Sequence, residues 1–413
     1  MFDCIIVGGG IHGTYLSNLL TAELGYSNDK VRVVDPHDEV CGRWRELTSR
    51  TGMQFLRSPT VHNLDISPWS LSRFQNSHHK EEWAHSIGHT HRPSLAMFNR
   101  HVDCICEEGG LNQLRIKGEV SAIRKTRKGL EVQTSAGNFL SRQVILAISS
   151  NDKLEIPAWA RDITLVSKHV FEPGFSLASL KEGDKIVVVG SGITAAQVAI
   201  YAAKVSPGNV QLFIRHPLRI AEFDADPCWM GPKCLSLFAA EKDYGKRREM
   251  IKAARNKGTV TPEVFAAVRK AEATGALNVV LTEVESARKT WNAQATLLDA
   301  YNNHLCLASH VILATGFAPG RPGGKLLDQV IAEFEMPVAK DGFPIVDRYL
   351  HWKDQIYVTG ALAELEVGPP ARNILGARLA GARLARVLKP SGAWDFATKL
   401  VASSLHGFSG LVR

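Results

Sequence analysis

Two glycine-rich stretches of this 413-residue chain have the residue types and spacing that hold a nucleotide pyrophosphate. The first follows the apolar run 4–7 and places Gly8, Gly10 and Gly13 in a Gly-x-Gly-x-x-Gly pattern. In such a turn the first glycine reverses the chain, the second lets the backbone approach the phosphates, and the third lets the next helix pack closely. The helix N-terminus adds N–H groups and a positive dipole end. The pattern predicts a dinucleotide site, with a plain loop as the alternative.

An acidic residue follows where a ribose would lie. The second apolar run, residues 31–34, ends at Asp35, which is 22 residues after Gly13. A carboxylate at this distance can bind ribose hydroxyls. Strand, glycine turn, helix, strand and acid together predict a complete nucleotide-binding unit at the start of the chain.

The second glycine-rich stretch repeats this arrangement after the apolar run 186–189. Gly190, Gly192 and Ala195 form Gly-x-Gly-x-x-Ala, an accepted variant of the pattern. The next apolar run ends in Arg215 rather than in an acid. An acid there would repel the 2′-phosphate of NADP, whereas arginine can pair with it. We therefore predict that this site takes NADPH in preference to NADH, with an ordinary surface arginine as the alternative.

Two nucleotide sites in one chain have a natural use when one holds a flavin and the other a nicotinamide that reduces it. The predicted fold class is α/β, with two Rossmann-like dinucleotide-binding domains. Residues 1–160 and 320–390 are predicted to form a discontinuous FAD-binding domain. An NAD(P)H-binding domain, residues 161–319, is inserted into it, and residues 391–413 form a C-terminal tail.

The remaining elements are predicted from hydrophobic periodicity. Residues 94–111 have helical spacing, residues 114–140 alternate as in a small antiparallel unit, and residues 144–148 read as a buried parallel strand. Residues 51–93 form a long irregular stretch, and residues 151–183 a connector. Loops as long as the irregular stretch are usually functional or disordered. Its histidines match no metal-ligand spacing, so no metal site is predicted.

Composition excludes several classes of partner. The net charge of +8, from 49 basic and 41 acidic residues, includes no dense basic block of the kind that binds nucleic acid. No signal peptide and no apolar run of about 18 residues is found, so we expect a cytoplasmic protein without stable membrane contact. Seven cysteines without a Cys-x-x-Cys or zinc spacing are predicted to be buried thiols. With no cysteine pair near either glycine turn, disulfide reductases are disfavoured.

Residues 2–390 resemble the two-dinucleotide-binding-domain flavoproteins, nearest to the flavin-dependent monooxygenases. That group includes the flavin-containing monooxygenases, the Baeyer–Villiger enzymes and the lysine and ornithine N-hydroxylases. Residues 314–319, Ala-Thr-Gly-Phe-Ala-Pro, closely resemble the motif that ends the nicotinamide domain. Gly42-Arg43-Trp44 is similar to a Gly-Gly-x-Trp segment with Cys41 in place of the first glycine. Two places depart from the pattern: residues 167–171 match the central motif only in part, and Ala361 stands where many relatives carry an aspartate.

The resemblance implies FAD and NADPH as cofactors. It assigns cofactor contacts to Gly8, Gly10, Ile11, His12, Gly13, Asp35, Arg43, Trp44, Val120, Gly190, Gly192, Ala195, Arg215, Gly316, Gly360 and Asn373. For Trp44, core packing is an equal alternative. The last helix, which opens near Asn373, is expected to direct its N-terminus at the flavin.

The implied activity is monooxygenation through a C4a-(hydro)peroxyflavin, which passes one oxygen atom of O₂ to a small amine or sulfide. Such chemistry needs a pocket that excludes water. Arg57, Ser58 and His62 are the candidates for that pocket, each with a solvated loop position as the alternative. Two other functions stay open: an NAD(P)H:acceptor reductase of the quinone type, and a non-catalytic flavin-binding regulatory protein.

Overall fold

The computed structural model describes residues 1–150 and 153–390, so the predicted tail lies outside the described residues. The α-helices are α1 (Ile11–Asn18), α2 (Gly42–Ser49), α3 (Ser70–Ser77), α4 (Leu95–Glu108), α5 (Ile193–Val205), α6 (Pro232–Ala240), α7 (Tyr244–Ala254), α8 (Pro262–Ala273), α9 (Gly324–Phe334), α10 (Glu364–Val367) and α11 (Ile374–Leu384). A π-helical turn, Leu19–Glu23, continues α1.

The strands are β1 (Phe2–Val7), β2 (Val31–Asp35), β3 (Ser86–Ile87), β4 (Arg92–Pro93), β5 (Arg115–Lys117), β6 (Val120–Thr126), β7 (Gly129–Thr134), β8 (Gly137–Leu146), β9 (Ser167–His169), β10 (Ile186–Val189), β11 (Val210–Ile214), β12 (Arg219–Ile220), β13 (Thr259–Val260), β14 (Leu277–Leu281), β15 (Ser286–Lys289), β16 (Ala295–Leu298), β17 (His304–Ala308), β18 (His310–Leu313), β19 (His351–Lys353) and β20 (Ile356–Val358).

The first sheet carries the first glycine turn. Its strand order is β19-β20-β8-β1-β2-β5. Strands β6 and β7 form a hairpin, and β7 also pairs with β8. Strands β1, β2 and β8 are parallel where they meet, with Val7 opposite Val34 and Leu146. The core under this sheet is continuous with the apolar faces of α1, α4 and α11. The carboxyl ends of these strands therefore open at one edge of the sheet, where ligands bind in folds of this type.

The second sheet carries the second glycine turn. Its order is β14-β11-β10-β18-β9, all parallel, and its strands come from residues 167–313. Strands of the first sheet precede and follow this segment in the chain. The predicted α/β class with two Rossmann-like units is confirmed. The exact domain boundaries stay predictions.

Three local predictions need correction. The predicted separate strand at 144–148 is the second half of β8, which pairs antiparallel with β7 and then parallel with β1. One long strand replaces two because no turn residue interrupts Phe139–Leu146. The irregular stretch 51–93 contains α3, and the connector contains β9. Among the helices of the described residues, none is both long and apolar enough to cross a membrane.

Candidate cofactor and substrate site

The first glycine turn is shaped so that two of its glycines, Gly8 and Gly13, cannot carry a side chain. Gly8 has φ +107°, and a Cβ added there would lie 2.6 Å from the carbonyl oxygen of Ala147. A Cβ on Gly13 would lie 1.9 Å from the carbonyl oxygen of Gly8. At Gly10, in contrast, an added Cβ would have no neighbour within 4 Å. The turn is tightly packed on its inner side and open at the position where a phosphate would approach.

His12 adds an unused polar atom beside this opening. Its Nδ1 lies 2.8 Å from Oγ1 of Thr359, while its buried Nε2 has no hydrogen-bond partner. Burial lowers the pKa of His12 to about 4, so the ring is neutral at physiological pH. Gly360, with φ +63°, lies against the ring and leaves room for it. Ile11, which begins α1, packs on the core instead.

Asp35 lies at the end of β2 as predicted, and it also holds the turn together. Its Oδ2 accepts a 2.6 Å hydrogen bond from the Gly9 N–H, and its Oδ1 accepts from both N–H groups of His37 at 2.9 Å. A carboxylate has about four acceptor positions, so Asp35 keeps one for a ribose hydroxyl. The N–H of Gly118 donates to the carbonyl oxygen of Asp35 at 3.0 Å. Val120, two residues further along the chain, is buried.

Trp44 packs on the core, and its predicted contact with the cofactor stays a prediction. Its ring edge packs on Phe98 at 5.7 Å, and its indole N–H donates to Asn99 at 3.1 Å. Asn99 in turn lines a cavity of about 610 Å³ between residues 53–55 and 94–99. Arg43 pairs with Glu46 at 2.8 Å on the same helix, α2. Trp44 is therefore a core residue that also supports the cavity wall.

The second glycine turn repeats the geometry of the first. Gly190 has φ +151°, and a Cβ there would lie 2.6 Å from the carbonyl oxygen of Ala314. Ala195 is fully buried against Gly190, which is why alanine serves at the third position. Gly192 is the N-cap of α5. Arg215 is exposed beyond β11, and its backbone N–H bonds Oγ of Ser191 at 2.9 Å.

The Ala-Thr-Gly-Phe motif joins the two units. Gly316 has φ +86°, and its carbonyl accepts from the Glu155 N–H at 3.0 Å. Phe317 stacks on Phe171 with ring centroids 5.0 Å apart. His169, at the end of β9, is fully buried with Nε2 unpartnered, and burial lowers its pKa to about 4. The partly matching segment 167–171 therefore packs directly on the motif.

The three predicted pocket residues come together in one small cleft of about 20 Å³. Its lining consists of Arg57, Ser58, His62, Phe223, Asp224, Ala225, Asp226, Trp229, Met230, Pro370, Asn373 and Leu375. Asn373 is the N-cap of α11, so that helix directs its N-terminus at the cleft. We name residues 223–230 the pocket wall, because this segment of the second unit closes the cleft over the first unit.

Arg57 holds the pocket wall in place. Its guanidinium donates to the backbone carbonyls of Ala221, Glu222 and Phe223 at 2.7–3.3 Å, and it lies 3.1 Å from Oδ1 of Asp224. These bonds occupy the donors that a catalytic arginine would aim at a ligand. Arg57 therefore positions the pocket wall, and its catalytic role stays a prediction. No sequence pattern indicates the positioning role, since the partners lie more than 160 residues away.

His62 and the two acids set the charge of the cleft. Burial lowers the pKa of His62 to about 4, so the ring is neutral near pH 7. Asp224 pairs with Arg57, and Asp226 accepts from the Cys228 N–H at 2.8 Å. The lining thus carries two carboxylates and one guanidinium, and Asp226 is the carboxylate that can attract a cationic ligand.

A buried ionic cluster beside the cleft also escaped the sequence analysis. Arg92, with a side chain only 2% exposed, forms a two-pronged bond with Glu263 at 2.6 and 3.1 Å and reaches Glu222 at 3.2 Å. It also donates to the carbonyl of Leu56 at 3.2 Å. Arg92 thereby links the segment before the cleft to two elements of the second unit.

The prediction of seven buried thiols is wrong at three positions, one of which is the half-exposed thiol of Cys104. Cys228 and Cys234 form a disulfide with Cα atoms 5.4 Å apart, and both residues are half-buried. Gly231 and Pro232 turn the chain between a short 3₁₀ helix, Pro227–Met230, and α6, which brings the two sulfurs together. The sequence argument concerned pairs near either glycine turn, whereas this pair adjoins Trp229 and Met230 of the pocket wall.

Comparisons with known proteins agree with this geometry. No match was found among curated proteins. Many solved structures share the fold, among them the following three. DfoA of Erwinia amylovora, a cadaverine monooxygenase of desferrioxamine biosynthesis bound to FAD, has a TM-score of 0.73 at 15% identity, covering 94% of each chain. The ornithine N-hydroxylase KtzI of Kutzneria sp. 744 has a TM-score of 0.71 at 14% identity, covering 94% of this chain and 99% of that one.

The ornithine hydroxylase PvdA of Pseudomonas aeruginosa has a TM-score of 0.69 at 18% identity, covering 94% of this chain and 98% of that one. At these identities the three structures establish a common fold. The family model described as pyridine nucleotide-disulphide oxidoreductase matches residues 2–383. The chain belongs to the pyridine nucleotide-disulphide oxidoreductase family.

Proposed function

We propose that this protein is an FAD-dependent, NADPH-using oxidoreductase that oxygenates a small amine. The observation that carries the proposal is the position of the acid-lined cleft, between the N-terminus of α11 and the pocket wall. The first unit supplies one side of the cleft and the second unit the other. A substrate held there would lie next to a flavin bound along the first glycine turn.

The first unit has the features of an FAD site. The opening above Gly10 accepts a pyrophosphate, the unpartnered Nε2 of His12 offers a donor beside it, and Asp35 keeps one acceptor for a ribose hydroxyl. The N-terminus of α11 presents free N–H groups to an electron-rich ring. FAD supplies the hydride acceptance and oxygen chemistry that amino-acid side chains lack.

The second unit has the features of an NADPH site. The open N-terminus of α5 at Gly192 receives the pyrophosphate, and exposed Arg215 pairs with the 2′-phosphate. Arg219 donates to the carbonyl of Lys257 at 2.7 Å, next to Gly258, which faces Gly192. The arrangement favours NADPH over NADH.

The cleft has the features of an amine pocket. Phe223, Trp229 and Met230 exclude water from the reacting centre, and His62 is neutral there. Asp226 can pair with an ammonium group at a substrate end distant from the reacting nitrogen. The relatives DfoA and KtzI, which act on cadaverine and ornithine by their names, agree with this substrate class. O₂ is the co-substrate, and a cytoplasmic location stays a prediction.

A reductase is the second candidate, favoured by the Cys228–Cys234 disulfide behind the pocket wall. Anaerobic titration with NADPH separates the two. The oxygenase requires one NADPH per flavin for complete bleaching, whereas a reductase that passes electrons to the disulfide requires two. A flavoprotein that NADPH does not bleach would exclude both and would fit a non-catalytic role.

Substrate class is tested by following NADPH oxidation and hydrogen peroxide release with a panel of diamines, amino acids and thioethers. We expect diamines to accelerate NADPH oxidation while peroxide release falls. Asp226→Asn should abolish that acceleration and leave the substrate-free rate unchanged. Acceleration by thioethers alone would contradict the amine assignment.

A further inference from the structure

The pocket wall is held at both of its ends. At residues 221–223 the guanidinium of Arg57 binds three successive carbonyls. Near its other end, the Cys228–Cys234 disulfide ties the 3₁₀ helix to α6. Asp226 lies between these two attachments, Trp229 and Met230 lie within the loop that the disulfide closes, and all three line the cleft.

The disulfide lies behind the wall and not in the cleft. Neither cysteine lines the cleft, although Trp229 and Met230 on the same short helix do. Trp229 contacts Phe238 of α6 edge to face, with ring centroids 6.3 Å apart. Phe238 is buried beside Gly368, just before the Pro370 side of the cleft. A change at the sulfurs is therefore transmitted to the lining through the wall itself.

Both sulfur-bearing residues are half-buried, so a small thiol in solution can reach them. The other five cysteines are free, and four of those are buried. This makes the Cys228–Cys234 pair the most accessible thiol–disulfide couple of the described residues that also touches the functional site.

We propose that Cys228 and Cys234 form a reversible thiol–disulfide switch that sets the position of the pocket wall. The disulfide holds the wall closed over the cleft, and the dithiol releases its C-terminal end. Because it regulates the same cleft, the switch rests on the proposed function for its biological meaning. Its chemistry can be tested without turnover.

The redox steps balance with small co-reactants. In reduction, the thiolate of one small thiol such as glutathione attacks a sulfur of the pair and breaks the S–S bond. This gives one protein thiol and a mixed disulfide between the other cysteine and the small thiol. A second small thiol attacks the mixed disulfide, which releases the small-molecule disulfide and leaves two protein thiols. In oxidation, one hydrogen peroxide converts one protein thiol to a sulfenic acid and water. The other thiol then condenses with it to the disulfide and a second water.

The first test counts thiols in denaturant after incubating the purified full-length protein with glutathione and then with peroxide. Seven cysteines with one disulfide give five thiols. We expect five before treatment, seven after glutathione and five again after peroxide. A count that stays at five in glutathione would overturn the switch. A count that rises to seven with anaerobic NADPH alone would also overturn it, because the pair would then be an electron acceptor of the flavin.

The second test measures hydrogen–deuterium exchange of peptides covering residues 223–240 in both redox states. Removing the link should raise exchange in this segment by roughly tenfold and leave the β1–β2 region unchanged. Cys228→Ser and Cys234→Ser should each exchange at the fast rate in either redox buffer. Cys104→Ser, at a half-exposed cysteine far along α4, is the matched control and should keep the redox response. Equal exchange in the two states would refute the proposal.

These readouts separate the switch from the proposed function. If the protein does not bind FAD or react with NADPH, the proposed function fails, but thiol counts and exchange still decide the switch. If turnover occurs with the same KM for amine in both redox states, the switch fails while the proposed function stands.

Discussion

Replacing Arg92 with methionine removes the buried cation that joins the two units. Its guanidinium is 2% exposed and meets Glu263 at 2.6 and 3.1 Å, Glu222 at 3.2 Å and the carbonyl of Leu56 at 3.2 Å. The variant leaves two part-buried carboxylates facing each other and a carbonyl without its donor. Removing one partner of a buried ion pair costs about 3–5 kcal/mol.

For a domain of this size, that loss corresponds to a fall of roughly 6–20 °C in the unfolding midpoint. Thermal unfolding followed by circular dichroism and by flavin release measures it. We also expect slower flavin reduction by NADPH, because Arg92 links the segment before the cleft to β12–β13 and α8.

The matched control is Arg100→Met, at an exposed arginine over the Trp83 ring, which should change stability by less than about 1 kcal/mol. In a double-mutant cycle, Arg92→Met combined with Glu263→Gln should cost clearly less than the sum of the two single changes. Strict additivity, or a loss for Arg92→Met no larger than the control, would refute the buried-clamp reasoning.

Three further predictions follow from the nucleotide sites and the cleft. Gly13→Ala should prevent FAD retention and lower the unfolding midpoint, because the added Cβ would lie 1.9 Å from the carbonyl oxygen of Gly8. Gly10→Ala should leave the unfolding midpoint unchanged and only weaken FAD binding, as measured by a fluorescence titration. Arg215→Ala should raise KM for NADPH by about 10–100-fold with no change for NADH, since a charge-assisted bond of about 1.5–3 kcal/mol is lost; equal effects on both would contradict the assignment. The pKa of His62 is about 4 in the folded protein and about 6.5 in the unfolded chain. The contribution of His62 to the free energy of unfolding is therefore fully present above pH 6.5 and falls by about 1.4 kcal/mol per pH unit as the pH decreases from 6.5 to 4. A His62→Asn variant should show a smaller decline of the unfolding midpoint over that window, and an unchanged slope would contradict the prediction.

The parts of the fold that the sequence predicted are those fixed by short-range patterns. The glycines of both turns, Asp35 and Arg215 follow their strands at fixed distances, so spacing alone located them. These positions depend on backbone geometry within about thirty residues, which periodicity and glycine placement reveal. Gly316 was assigned from the resemblance of residues 314–319 to a family motif.

The parts that the sequence missed depend on contacts between distant segments. Arg57 was expected to face the substrate, but its partners at 221–224 lie in the other unit. Arg92 carried no signal at all, since its acids lie 130 and 171 residues away. The Cys228–Cys234 pair was read as two thiols because its spacing matches no motif, and only the turn at Gly231 joins them.

The central claim is that the protein transfers an oxygen atom from O₂ to an amine at the expense of NADPH. The most direct test is turnover with ¹⁸O₂, NADPH and the most stimulating amine of the panel, followed by mass spectrometry of the product. The account predicts a hydroxylated amine that carries the ¹⁸O label, in amounts that follow NADPH consumption. NADPH oxidation that yields labelled hydrogen peroxide alone, with every amine recovered unchanged, would contradict it.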